Sequence, residues 1–293
     1  MKVIVFGAGD YGRRFCQEAD SSIEILAIVD NNILLQGSSI YGHMVVPASS
    51  IANYDFDKVV IAIIEYIGAE QKCAATKVLE QLNEMGVAND KIQLMSKYPY
   101  ENPRVKLLKL FSSLGQCVPG AVAECGVHRG DFAAYINEFF PSRSLYLFDT
   151  FDGFRGNDVN EENSVAALQW LECVSGIYTS GSAAAAMLKM PYRDKVIVRQ
   201  GYVPDTFVGL ESERFAFVSL DVDLYKPTLE GLKFFAPRMS PGGMILLHDY
   251  FSINLSDSVK RAADEFESGY SFTKLPLNDG YTIALANFEK KPN

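Results

Sequence analysis

Two glycine turns, each directly after an apolar run, constrain this chain more than any other feature. The first is Gly7-Ala8-Gly9-Asp10-Tyr11-Gly12, after Val3-Ile4-Val5-Phe6. The second is Glu124-Cys125-Gly126-Val127-His128-Arg129-Gly130, after Ala121-Val122-Ala123. A strand that runs through a glycine turn into a helix opens a βα unit, so two such openings predict two α/β units. The length of 293 residues suits two compact domains or one large one.

The alternation of strand and helix signals supports that division. In the first part, residues 2–6, 24–29 and 58–64 read as short apolar strands, the last one apolar enough to be buried on both faces. A helix is expected from about Ala69 to Glu84, stopped by Gly86, with a last strand over 91–95. The stretch 98–104 holds Pro99 and Pro103 and few apolar residues, and is read as the linker. The expected organisation is a Rossmann-like nucleotide-binding domain over 1–97, the linker, and a second α/β domain over 105–293. The second domain offers seven strand candidates: 121–124, 144–148, 195–199, 214–220, 243–248, 271–275 and 281–287. A helix near 256–268 would bury Val259, Ala262, Ala263 and Phe266, which share one face. Residues 153–190 are long for a connection, and segments of that length often cover a site. Trp170, Tyr178 and Tyr192, in or beside this segment, are candidate contacts for a sugar ring, with core packing as the commoner role.

Composition narrows the function classes. A formal net charge of −9 argues against a nucleic-acid binder, whose affinity rests on Lys and Arg neutralising phosphates. No apolar run approaches the roughly 20 residues of a membrane helix. Met1-Lys2 leads directly into a strand, so no secretory leader is expected. The five cysteines form no C-x-x-C pair, which signals neither a zinc cage nor a disulfide framework. Reduced thiols in a cytoplasmic protein are the expectation. Homo-oligomerisation stays open.

The chemistry of the two turns differs. Gly7, Gly9 and Gly12 have the spacing that lets a backbone approach a pyrophosphate, and Asp30 ends the next strand, where it can accept from a ribose. Arg13 and Arg14 lie early in the helix, where they can face phosphate. NAD, a sugar nucleotide and an adenylate all remain open, as does a turn that only packs its own domain. Nicotinamide chemistry would need a proton donor. The one Tyr-x-x-x-Lys match, Tyr54 to Lys58, runs into a strand rather than along a helix, which favours chance. This domain resembles the small N-terminal nucleotide-binding modules of bacterial sugar-modifying proteins, on Gly7 to Gly12 and Val29-Asp30-Asn31-Asn32.

The second turn, with its leading carboxylate, suits a cationic cofactor such as S-adenosylmethionine. Glu124 can face its ammonium, Gly126 and Gly130 permit close backbone approach, and Asp149, 19 residues after Gly130, can hold its ribose. Further on, Asp221 and Asp223 stand at i and i+2 at a strand end, where they would share a face. His248-Asp249-Tyr250 follow the next strand. Carboxyl ends of neighbouring strands converge on one crevice in such sheets. Asp221, Asp223 and Asp249 are therefore expected to meet, as oxygen ligands suited to Mg²⁺. Two carboxylates this close repel unless a cation, a proton or a substrate offsets them.

Here a family resemblance enters. Glu124-Cys-Gly-Val-His-Arg-Gly130, Phe148-Asp-Thr-Phe-Asp-Gly153, Gly201-Tyr-Val-Pro-Asp-Thr206, Asp221-Val-Asp-Leu-Tyr225, Pro241-Gly-Gly243 and His248-Asp-Tyr250 resemble the macrocin O-methyltransferase (TylF-type) family. Its members methylate sugar hydroxyls on macrolides and aminocoumarins. The resemblance implies a seven-stranded class I methyltransferase sheet, S-adenosylmethionine, and Mg²⁺ held by aspartates. It places Glu124, Gly126, Gly130, Asp149, Thr150, Gln200 and Gly201 at the cofactor. It divides base and metal roles between Asp221 and Asp223, and makes Asp249 a metal ligand. The acceptor would be a small-molecule sugar or sugar nucleotide. The family has two aspartates before the final tyrosine, whereas this chain has His248-Asp249. Neutral imidazole suits Mg²⁺ poorly. That leaves open a weakly held ion, another metal such as Mn²⁺, no metal, or His248 as proton acceptor. The N-terminal domain is a second departure. The rival readings are a catalytically silent nucleotide- or S-adenosylmethionine-binding regulator, and a bifunctional enzyme with nicotinamide chemistry in its first domain.

Overall fold

The computed structural model describes residues 1–63, 74–154, 182–252 and 257–292. They form two compact units, Met1–Tyr100 and Glu101–Asn293.

In the first unit, β1 (Lys2–Phe6) lies between β2 (Glu24–Val29) and β5 (Lys58–Ile61), parallel to both. Val3, Ile4 and Val5 have no exposed surface, as an all-apolar central strand requires. Helix α1 (Asp10–Glu18) leaves the glycine turn, and α2 (Ala74–Glu84) precedes β6 (Ile92–Leu94) at one edge. The strand expected over 58–64 stops at Ile61, and Ala69 to Cys73 of the expected helix lie outside the described residues. Two strands were not anticipated from the sequence. β3 (Ser39–Ile40) and β4 (His43–Val46) form a hairpin on the other edge, and β4 pairs with β2. They are joined by Tyr41-Gly42, both at positive φ, as a tight two-residue turn demands. The strands are too short to show a periodic signal.

The second unit opens with α3 (Pro103–Leu114), started by a Pro at its first turn and by Asn102, whose side chain accepts from the Arg104 N–H at 2.9 Å. Pro103 and Arg104, expected in the linker, therefore belong to a helix. All seven expected strands form: β7 (Ala121–Cys125), β8 (Leu145–Asp149), β9 (Val196–Gln200), β10 (Phe215–Leu220), β11 (Met239–Leu247), β12 (Tyr270–Pro276) and β13 (Ile283–Lys290). Their order is β12-β13-β11-β10-β7-β8-β9, with β13 antiparallel to both its neighbours. Order reverses beside β7, which is where an open α/β sheet forms its ligand crevice. Between the strands come α4 (Asp131–Phe139), α5 (Ala183–Lys189), α6 (Tyr225–Phe235) and α7 (Ser258–Glu267). Helix α7 buries Val259, Ala262, Ala263 and Phe266, the face expected from spacing. The core is rich in aromatic rings, with Phe215 edge-on to Phe235 at 5.1 Å and Phe207 edge-on to Phe148 at 5.2 Å. No helix among the described residues is long and apolar enough to cross a membrane.

Candidate active site

The crevice of the second unit is built where β7, β10 and β11 end. Backbone bonds lock these ends together: Asp221 N–H donates to Cys125 O at 2.8 Å, and His248 N–H to Leu220 O at 3.0 Å. Four non-glycine residues at positive φ occupy the turns after the strands: His128, Phe151, Asp223 and Asp249. Left-handed backbone costs an L-residue about 1–2 kcal/mol. Such strain gathers where a fold over-determines its geometry for a purpose.

Glu124 lies within β7 and is 2% exposed. Its Oε2 has no hydrogen-bond partner among the described residues. Burial pushes its carboxyl well above the ordinary range; the Arg104 charge opposes this, while Asp221, Asp149 and Asp131 add to it. A buried, half-satisfied carboxyl is costly, and it is the group a cationic ligand would relieve. Arg104 was not singled out in the sequence. From α3 its guanidinium reaches Asp221 Oδ2 at 3.1 Å and Ser219 Oγ at 3.2 Å, and covers the Phe132 ring at 4.4 Å. It is 3% exposed. A basic residue in a segment read as linker carries no local signal for this role.

Asp149 is more committed than expected. Its Oδ2 accepts from the N–H groups of Val127 and His128, both at 2.6 Å, and its Oδ1 from Phe151 N–H at 2.7 Å. It ties the glycine turn to the end of β8. The first unit repeats the device: Asp30 accepts from Ala8 N–H at 2.7 Å and from Asn32 N–H at 2.8 Å. Gly126 and Gly130 also serve the fold. A Cβ on Gly126 would lie 1.8 Å from the Asp221 carbonyl oxygen, and one on Gly130 would lie 2.9 Å from the Ala186 Cβ of α5. Gly201 N–H donates to Asp149 O at 2.9 Å, Gln200 reaches Thr150 O, and the Thr150 hydroxyl donates to Gly153 O at 2.8 Å. These residues together line the ends of β8 and β9.

The metal candidates assemble differently from the expectation. Asp221, His248 and Asp249 each offer one ligand atom, and the three atoms lie within 4.8 Å of one another. Asp223 is not in this group; its carboxyl hydrogen-bonds Asp249 instead. The reason is backbone geometry. β10 ends at Leu220, so strand alternation no longer relates Asp221 to Asp223, and Asp223 takes a left-handed backbone at φ 64°. Burial raises the Asp249 carboxyl, with Asp221 adding to the rise and His248, the Asp223 bond and Arg104 opposing it. Two carboxylates and an imidazole can hold a divalent cation, and the residues present fit one. His248 Nδ1 faces Thr282 Oγ1 at 2.8 Å, and the Thr282 hydroxyl donates to Asp279 Oδ2 at 2.6 Å. Burial would raise the Asp279 carboxyl, but bonds from Thr282 and Tyr281 and the nearby His248 hold it below the ordinary range. Neither Thr282 nor Asp279 was anticipated from the sequence.

In the first unit, Gly7 and Gly12 are required by packing. A Cβ on Gly7 would meet Ala62 O at 2.5 Å, and one on Gly12 would meet Gly7 O at 1.8 Å. Gly9, the N-cap of α1, has nothing within 4 Å of a built Cβ. Arg14 does not face a phosphate as expected. Its guanidinium donates to Lys97 O at 2.9 Å and to Ser96 O, stacks on Tyr11 and pairs with Glu18. Of the expected cover over 153–190, residues 155–181 lie outside the described residues, and with them Trp170 and Tyr178. Its far end is α5, held to α4 by a buried Lys189–Asp131 ion pair at 2.8 Å. Tyr192 is 43% exposed.

The strand order and the crevice beside β7 define a class I methyltransferase unit. A family model described as Macrocin-O-methyltransferase (TylF) matches residues 102–279, more than half of the chain, and the protein belongs to that family. A second model, C2185-like N-terminal, matches residues 1–93. Among curated relatives, the chain is 26% identical over 176 residues to an 8-demethyl-8-(2,3-dimethoxy-alpha-L-rhamnosyl)-tetracenomycin-C 4'-O-methyltransferase of Streptomyces olivaceus, covering 55% of this chain and 62% of that protein. It is 27% identical over 148 residues to a mycinamicin III 3''-O-methyltransferase of Micromonospora griseorubida, covering 47% and 58%. The chain thus spans about three fifths of the length of these two relatives. The solved structure of the O-methyltransferase NovP superposes with a TM-score of 0.52 at 20% identity, over 63% of this chain and 79% of that one, and so shares the fold.

Proposed function

We propose that the protein is an S-adenosylmethionine-dependent O-methyltransferase acting on a sugar hydroxyl, carried on a glycan, a natural product or a nucleotide. The observation that carries this reading is the orphaned Glu124 Oε2, buried beside the glycine turn of a macrocin-type methyltransferase unit. Both named relatives are O-methyltransferases, and the name of the first places its methylation on a rhamnosyl-bearing tetracenomycin, which supports a sugar acceptor.

When bound, S-adenosylmethionine supplies an electrophilic methyl carbon, and a divalent cation makes a coordinated hydroxyl more acidic. Glu124 would receive the cofactor's ammonium, while Asp149 holds the turn of Gly126 to Gly130 in place. Thr150, Gln200 and Gly201 border the same end of the sheet. Asp221, His248 and Asp249 would hold the cation, Mg²⁺ or another divalent ion. Asp221 is the more exposed of the two carboxylates on its turn, with 21% of its side chain accessible. It would accept the hydroxyl proton as general base. With that proton removed, the acceptor oxygen would be ready to take the methyl group that bound S-adenosylmethionine would supply, with S-adenosylhomocysteine as the other product. Residues 1–97 bind a separate nucleotide at Gly7, Gly9, Gly12 and Asp30, and the second unit, from Glu101 onward, forms the methyltransferase domain, within a cytoplasmic protein.

The test is calorimetry and turnover on Asp221→Asn. S-adenosylmethionine should bind as in the parent, while methyl transfer to a panel of nucleotide-linked sugars falls by at least about a hundredfold, the scale of lost general-base catalysis. Undiminished turnover would remove Asp221 from the mechanism. A parent protein that takes up no S-adenosylmethionine would remove the whole reading.

A further inference from the structure

The ligand set of the proposed centre differs from an all-oxygen one by a single imidazole, and the surrounding hydrogen bonds define which of its nitrogens is available. Asp279 Oδ1 already accepts from Thr282 N–H at 2.8 Å and Tyr281 N–H at 2.9 Å. Its Oδ2 accepts the Thr282 hydroxyl at 2.6 Å. A threonine hydroxyl has one proton, and here it goes to Asp279. Thr282 Oγ1 can therefore meet His248 Nδ1, 2.8 Å away, only as acceptor. That puts the ring proton of neutral His248 on Nδ1. Nε2 is left with its lone pair, on the side where Asp249 Oδ1 lies 3.8 Å away. Thr282 is fully buried, so no solvent rotates its hydroxyl away from this chain.

A metal-binding histidine is characteristically held this way, with its remote nitrogen donating into a carboxylate or its relay. Mg²⁺ prefers oxygen ligands in near-ideal octahedral geometry, whereas imidazole nitrogen suits first-row transition cations. We infer that Asp221, Asp249 and His248 Nε2 take a divalent transition-metal cation, of the Mn²⁺ kind, in preference to Mg²⁺, with Thr282 and Asp279 as positioning residues that fix the imidazole. The inference rests on the reading of this crevice as a metal-assisted methyl-transfer centre.

The experiment uses the full chain, stripped with a chelator and loaded with Mn²⁺ alone or Mg²⁺ alone. Calorimetry should give Mn²⁺ an affinity at least about tenfold above Mg²⁺, and pulsed electron paramagnetic resonance of bound Mn²⁺ should show imidazole-nitrogen modulation. Thr282→Val should lower Mn²⁺ affinity by about 10–100-fold, the scale of a lost outer hydrogen bond, and Thr282→Ser should restore it. His248→Asp should abolish the nitrogen signal and shift the preference towards Mg²⁺. No Mn²⁺ binding, bound Mn²⁺ without nitrogen modulation, or a Thr282→Val protein with parental affinity would each overturn the inference. S-adenosylmethionine binding and methyl transfer, measured on the same samples, separate the two claims. A nitrogen signal without turnover sinks the function and keeps the metal site; turnover without a nitrogen signal does the reverse.

Discussion

At the scale of single residues, the site is a balance of buried charges, and two of them give sharp tests. Glu124 has a raised carboxyl because it is buried, so the folded protein keeps its proton where the unfolded chain has released it. The folded state without ligand is then most favoured below the ordinary carboxylate range, and loses stability as pH rises through the raised value. A cationic ligand needs the ionised form, so its affinity should move oppositely and strengthen over that same rise. Glu124→Gln removes both dependences. Thermal melts should show a ligand-free variant more stable than the parent at neutral pH, and calorimetry should show S-adenosylmethionine bound at least tenfold more weakly. Equal melting curves and equal affinity would mean that Glu124 is only a tolerated buried acid. Arg104 is the counterweight. Arg104→Met takes the guanidinium away from the Asp221 carboxylate and withdraws the charge that restrains Glu124. Removing one partner of a buried pair costs about 3–5 kcal/mol, and the partial exposure of Asp221 points to the lower end. Chemical denaturation can measure that loss, and Arg104→Lys should recover only part of it, since an ammonium gives up the flat guanidinium stacking over the Phe132 ring.

Elements explain why glycine sits where it does, and the two turns should answer alanine differently. At Gly126 the backbone is left-handed (φ 89°) and the space for a Cβ holds the Asp221 carbonyl oxygen. Gly126→Ala must push apart the ends of β7 and β10, a change in the rare class that costs more than about 4 kcal/mol. Little folded protein should be recovered on expression. Gly9 has an ordinary φ of −77° and open space around a built Cβ. Gly9→Ala should therefore fold, losing about 1 kcal/mol at most because alanine is a poorer N-cap, yet weaken any nucleotide that lies across the turn. A variant with unchanged nucleotide binding would show Gly9 to be incidental. The same contrast explains how far the sequence could be read. Elements with a strong period or an unbroken apolar run were legible: all seven strands from Ala121 onward, and the buried face of α7. β3 and β4 were not, because two and four residues cannot show a period. At the site, the strand-end acids were legible because each closes an apolar run. Arg104 and Thr282 were not, because their roles come from tertiary contacts 117 and 34 positions away, and Asp279 acts only through Thr282, three positions on. The expectation that Asp221 and Asp223 share a face extended strand alternation past the strand's last residue, Leu220.

Across the whole molecule, the same solution appears twice. Each unit has a central parallel strand that ends in a glycine turn, and an acid after the neighbouring strand that accepts backbone N–H groups of that turn, Asp30 in one and Asp149 in the other. The turns diverge in what they leave unsatisfied. The second leaves a buried carboxylate oxygen at Glu124, which calls for a cation. The equivalent point in the first unit is Val5, apolar and with no exposed surface, so that position offers a cation no carboxylate. The exposed backbone of Gly9 at the start of α1 is suited to phosphate instead. The two units should therefore select ligands of opposite charge, and hydrogen exchange read by mass spectrometry can follow each independently. S-adenosylmethionine should slow exchange at peptides covering Gly126 to Asp131 and Asp149 to Gly153, and leave Gly7 to Arg13 unchanged. A dinucleotide or sugar nucleotide should slow Gly7 to Arg13 and spare the second turn. At a ligand concentration of 100 times its dissociation constant, protection of the occupied unit rises by about 2.7 kcal/mol, well within reach of the method. If S-adenosylmethionine protected the first turn, or a nucleotide the second, electrostatic sorting by the residue that precedes each turn would be wrong.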